Sequence, residues 1–177
     1  MTEISKRVPG WQEKIPTMIA ITTLILAVCA TLTGFKAAGY GNKMVLLQNL
    51  ATDQWSFYQA KSIKETAYKI QRDAVMAAIP EEQRSEALNK QITVFAKEID
   101  RYKQEKDDIE KEARRIEKER DIAQQYNNTL GQALMFLQVG ILLSSLASIN
   151  KTHLYWYAGG GIGAVGVGIF IYAMLLM

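Results

Sequence analysis

Cysteine and histidine are almost missing from this sequence, which has one of each, Cys29 and His153. A lone cysteine closes no disulfide within the chain and supports no thiolate metal site. A lone histidine, set in the short polar stretch Asn150-Lys151-Thr152-His153, gives a general base no visible partner. The chain also lacks an E-x-x-H pair for a di-metal bundle, a G-x-x-x-x-G-K-S/T phosphate loop and a G-x-S-x-G nucleophile elbow. With no acid, base or metal constellation assembled, we expect no enzyme, no metal and no cofactor. A strong excess of one charge is missing too. The net charge is only +3, and basic residues alternate with acidic ones, which gives nucleic-acid binding by phosphate neutralisation little support.

Charge is itself missing from three blocks. Residues 15–35 carry none and are bounded by Lys14 and Lys36; residues 130–149 carry none; residues 154–177 carry none and begin with Tyr155, Trp156 and Tyr157. A hydrocarbon layer about 30 Å thick needs about 20 helical residues, so each block is long enough to cross, and the aromatic cluster suits a membrane interface. The last two blocks are separated only by residues 150–153, which implies antiparallel neighbours. Gly159 with Gly163, Gly160 with Ala164 and Gly168, and Gly140 with Ser144 and Ser148 recur at four-residue spacing. Such stripes let helix backbones approach closely in a membrane.

The charge is concentrated between the first and second blocks. Gly39, Tyr40, Gly41 and Asn42 read as a break at the membrane surface, so residues 36–43 are expected to be a glycine-containing linker. A first helix then spans residues 44–78, with Ala60, Ile63, Ala67, Ile70, Ala74 and Ala77 as its packed stripe. It ends at Ile79-Pro80, and Glu81 and Glu82 suit the first turn of a second helix. That helix carries the clearest periodicity in the chain. Leu88, Ile92, Phe95, Ile99, Tyr102, Lys106, Ile109, Ala113, Ile116, Arg120, Ala123, Asn127 and Leu130 follow one another at alternating four and three. This is a heptad seam, and because it reaches Leu130 the helix should continue unbroken into the second apolar block. The apolar members Leu88, Ile92, Phe95, Ile99, Tyr102, Ile109 and Ile116 are the expected oligomer seam.

Residues 50–65, LATDQWSFYQAKSIKE, resemble the signature of a bacterial membrane-protein family catalogued as domain of unknown function 4337. The order of elements is also similar to that family's. The resemblance implies an architecture and no mechanism. It draws attention to Asp53, Gln54, Trp55, Tyr58, Gln59, Lys61, Ser62 and Lys64, polar and aromatic groups within a few helical turns. Either they line an interaction surface or they serve as interface anchors and ion-pair partners within an oligomer. Within the apolar blocks Gln138 is the strongest polar group, and with Gly140, Ser144, Ser148, Gly159 and Gly163 it is expected to serve packing or to line a pore.

The expected fold is all-α: a tail at 1–14, transmembrane helices at 15–35, 130–149 and 154–177, and an extramembrane antiparallel helical hairpin or coiled coil at 44–129. The expected partners are a lipid bilayer, further copies of the same chain and a protein docked on the helical stalk. The expected role is a homo-oligomeric structural, assembly or docking module; the alternative is a small oligomeric channel or transporter lined by Gln138 and hydroxyls. Cations near the spans, Lys36, Lys43, Lys111, Arg114, Arg115, Lys118 and Arg120 against Lys6, Arg7, Lys14 and Lys151, place the middle segment on the cytoplasmic side of a bacterial inner membrane.

Overall fold

A computed structural model describes residues 10–150 and 152–176. Helix α1 is Gly10–Ala78, a single 3-10 turn occupies Glu81–Gln83, α2 is Glu86–Asn150 and α3 is His153–Leu176. No strand occurs among the described residues. Among the described residues three helices are long and apolar enough to cross a membrane. Of the expected tail, residues 10–14 are already helical, and the rest, with Lys6, Arg7 and Lys151, lies outside the described residues. As the unbroken heptad implies, α2 passes from its charged half into the apolar block without interruption.

Two expectations about helix ends are corrected. Residues 36–43 are not a linker, because α1 is helical throughout them. Glycine lowers helix stability by about 1 kcal/mol, which packing overrides. The Tyr40 ring sits 5.2 Å from that of Tyr126. A Cβ at Gly41 would lie 2.7 Å from Asn127 Nδ2, so this glycine permits a close approach rather than a bend. Likewise Glu81 and Glu82 do not open the second helix. They form the separate 3-10 turn, and Ser85 provides the cap of α2, its Oγ accepting from Leu88 N at 3.3 Å. Arg84 closes the other side of this turn, donating from Nε to Ile79 O at 2.9 Å and from Nη2 to Met76 O at 3.1 Å. It thereby satisfies carbonyls left open where α1 ends.

The chain divides into two compact units, one of residues up to Asn42 and from Ile122 onward, the other Lys43–Asp121. In the first, Ile19, Leu26 and Thr33 of α1 are buried at seven-residue intervals, with Leu130, Ala133, Leu137, Ser144 and Ala147 of α2 and Ala173 of α3. Small residues set the separation of α2 and α3. A Cβ on Gly140 would stand 2.9 Å from Gly159 O and from Gly163 Cα, and one on Gly166 would stand 2.9 Å from Leu137 N. Around Gly160, Gly161 and Gly168 nothing lies within 4 Å of such a Cβ, so only part of the expected glycine pattern is packed. Trp156 donates from Nε1 to Thr22 Oγ1 at 3.4 Å, joining α3 to α1.

In the second unit the paired positions descend along α2 as they ascend along α1: Trp55 meets Glu117, Glu65 meets Lys106, and Tyr68 meets Tyr102 and Phe95. All thirteen seam positions of α2 named above are shielded from solvent, with Phe95, Ile99, Tyr102, Ala113 and Ile116 buried. At Phe95 and Tyr102 the facing ring is Tyr68 of α1 in the same chain, so this part of the seam assigned to oligomerisation is filled internally. The stripe expected on α1 is corrected more sharply. Ala60, Ile63, Ala67, Ile70, Ala74 and Ala77 face outward, with Ile63 70% and Ile70 63% exposed. The face turned inward is Leu47, Ala51, Gln54, Tyr58, Lys61, Glu65, Tyr68 and Arg72, again at alternating three and four. Its polar members hide it from any search for an apolar face.

Candidate interaction site

The inward face of α1 and the seam of α2 meet in a cluster of rings and charges. Trp55 donates from Nε1 to Glu117 Oε1 at 2.9 Å, and its ring packs edge-on against Tyr58 at 5.6 Å. Tyr58 lies under the Lys106 ammonium at 5.1 Å. Lys106 pairs with Glu65 at 2.7 Å, and Glu65 also accepts from Lys69. Lys61 pairs with Glu105 and stands 5.5 Å over the Tyr102 ring, which the Arg101 guanidinium also approaches at 4.7 Å. Tyr102 stacks on Tyr68 at 5.8 Å. Cations held against ring faces and carboxylates gain from both contacts, more so where water is partly excluded.

Helical geometry explains why these groups converge. Residues 54, 58, 61, 65 and 68 follow the same three-four spacing that brings 102, 106, 109 and 113 to one face of α2. Glu65 is the most enclosed charged group, only 5% exposed. The hydrogen bond from Lys106, then that from Lys69, holds its carboxyl below the ordinary 4.5 against the opposing effect of burial. The same bond holds the Lys106 ammonium above the ordinary 10.5. Glu105 is lowered in turn by its bond to Lys61. These acids and bases are committed to one another, an arrangement that fixes two helices side by side.

Of the eight candidate residues, Trp55, Tyr58 and Lys61 enter the cluster and Gln54 and Ser62 are half-buried beside it, whereas Asp53, Gln59 and Lys64 are exposed. Sequence reasoning missed Glu65, Tyr68, Glu105, Arg114 and Glu117 as site residues. Arg114 caps the outer side of the Trp55 ring at 5.8 Å. The available signal was Lys106, a cation on the seam between apolar Tyr102 and Ile109, which calls for an acid opposite it.

Of the span residues, Gly140, Ser144, Gly159 and Gly163 are brought together as the α2–α3 contact, with the Ser144 hydroxyl fully buried and making no hydrogen bond. Ser148 is exposed and borders an open groove with Ser145 and Thr23. Gln138 is exposed on the outer face of α2. Thr22, Thr23, Thr31, Thr33 and Ser145 each donate to the carbonyl four residues earlier on their own helix. Among the described residues no group of three or more His, Cys, Asp and Glu is placed to hold a metal ion.

No curated protein and no solved structure matches the chain. The family model described as Domain of unknown function (DUF4337) matches residues 16–176, most of the sequence including the aromatic and charged cluster, and the chain belongs to that family.

Proposed function

We propose that this protein is a homo-oligomeric, multi-pass membrane protein whose antiparallel helical hairpin, residues 44–129, acts as an assembly or docking stalk. The observation that supports the reading best is the outward stripe on α1. Ile63 and Ile70 are mostly exposed between Ala60, Ala67, Ala74 and Ala77, with Thr66 and Gln71 beside them and the charged Lys64, Lys69 and Asp73 at the flanks. The outer face of α2 beside the same seam is instead dense with charge, including Lys97, Asp100, Lys103, Asp107, Asp108 and Lys111. One side of the stalk is therefore suited to water and the other to a protein surface.

The three apolar segments are read as membrane spans, with Tyr40 and Tyr126 at one interface and Tyr155, Trp156 and Tyr157 at the other. The cations that flank the spans support reading the stalk as the cytoplasmic part of a bacterial inner-membrane protein. A small channel draws less support, because most span hydroxyls donate to their own helix and so contribute little to a conducting path.

The test is the mass of the complex in nanodiscs, wild type against Ile63→Glu/Ile70→Glu. A wild-type multimer that loses subunits or a bound partner in the variant supports the reading. A wild-type protein that is strictly monomeric and binds nothing through its stalk overturns it.

A further inference from the structure

On the outer face of α2 the exposed residues Gly131, Met135, Gln138, Leu142, Ser145 and Ile149 recur at four, three, four, three and four. This is the same three-four repeat that the inward seam uses, displaced round the helix. It separates into two rows of seven-residue period. Gly131, Gln138 and Ser145 are small or polar; Met135, Leu142 and Ile149 are large, apolar and 55%, 63% and 76% exposed. A Cβ at Gly131 would meet nothing within 4 Å, so the stripe is open at that end, while Ser145 and Ile149 at the other border the groove shared with Thr23 and Leu24 of α1.

Gln138 falls near the middle of residues 130–149. A primary amide there carries two donors and an oxygen acceptor. Facing lipid tails it would leave all of them without partners, which is unfavourable in hydrocarbon. Among the described residues no other group takes them up. An amide is its own complement, since the N–H of one matches the C=O of another. Copies of one protein inserted the same way in one bilayer hold residue 138 at the same depth and are related by an axis along the membrane normal. The group that supplies both a donor and an acceptor at the right depth is therefore the Gln138 of a second copy.

We infer that this α2 stripe is the contact face between copies in the membrane, with Gln138 hydrogen-bonded to its counterpart. The inference rests on the homo-oligomeric reading above and adds a contact face within the apolar segments to the α1 stripe of the stalk. Met135, Leu142 and Ile149 supply the apolar packing, while Gly131 and Ser145 keep the helices close. Ser145 already donates to Ile141 O at 2.9 Å, so its oxygen is left to accept across the contact.

The experiment uses the full-length protein with Cys29→Ala in bilayer nanodiscs or native membranes. Single cysteines are placed at 135, 138, 142 and 145 along the stripe, at buried Leu137, and at Leu32, which is exposed on α1. Oxidative cross-linking should give a dimer band at the four stripe positions at least five-fold stronger than at 137 or 32. Separately, Gln138→Leu should weaken association about 3- to 30-fold, the range for one interhelical hydrogen bond in a membrane, without loss of helix content. A multimer that cross-links no better at the stripe than at Leu32, and associates equally well as Gln138→Leu, overturns this inference and leaves the homo-oligomer standing. A wild-type monomer in the same nanodiscs overturns both.

Discussion

Replacing Glu65 by Leu removes the acid that two lysines share. Lys106 then keeps its position under the Tyr58 ring with 16% of its side chain exposed, and it loses the carboxylate 2.7 Å away. Breaking a fully buried pair costs about 3–5 kcal/mol. Lys106 retains some access to water and its ring contact, which preserve about 1 kcal/mol, so Glu65→Leu should destabilise the two-helix unit by about 2–4 kcal/mol. The double variant Glu65→Leu/Lys106→Met removes both charges and keeps the volume, and should lie within about 1 kcal/mol of wild type. Urea unfolding in detergent, followed by Trp55 emission in a Trp11→Phe/Trp156→Phe background, reads both. The pH dependence follows from the shifts. Glu65 is held below its ordinary 4.5, so its contribution is fully present above that value and is lost as the pH falls through the lowered folded value. Lys106 is held above its ordinary 10.5, so its contribution is present below that value and is lost as the pH rises through the raised one. The difference between wild type and the double variant should therefore be flat from about pH 5 to 10 and change outside that window. A double variant as unstable as Glu65→Leu alone would refute the pairing argument.

Four further outcomes are expected. Gly140→Ala should push α2 and α3 apart, because its Cβ would meet backbone at 2.9 Å, and should lower stability by about 1–2 kcal/mol in detergent unfolding. Gly160→Ala, which meets nothing within 4 Å, should be neutral or stabilising by up to about 1 kcal/mol in the same assay. Trp55→Phe deletes the bond to Glu117 and should cost about 1.5–3 kcal/mol by chemical denaturation followed by circular dichroism. Ser85→Ala removes the cap of α2 and should cost about 1 kcal/mol, with faster amide exchange confined to residues 86–90.

The α2 seam was legible in the sequence because its apolar residues stand at alternating three and four, and one buried face suffices to mark a helix. The α1 seam was not, although it obeys the same spacing. Its inward residues Gln54, Tyr58, Lys61, Glu65 and Arg72 are polar or charged, while the apolar Ile63 and Ile70 face outward, so hydrophobic patterning selects the wrong side. Lys106 and Glu65 carried the missing information, but only as a pair from two helices, which a single strip of sequence does not display. Gly41 misled for a related reason. Glycine in a helix reads as a joint, and here it is the space that Asn127 occupies.

The cross-helix ion pairs also decide which of several alignments the stalk adopts. Apolar heptads tolerate sliding by seven residues, since each layer then meets another of its kind. Displaced that way, Lys61 would still find an acid, Glu98 or Glu112, but Glu65 would face Ile99 or Ala113 and its carboxylate would lose Lys106. Glu65 would keep only Lys69 of its own helix, and Lys106 would stand opposite Tyr58 or Arg72 with no acid, which is disfavoured by about 2–4 kcal/mol. The charges thus work as the wards of a key. They add little to the strength of the stalk and leave it a single position in which to close.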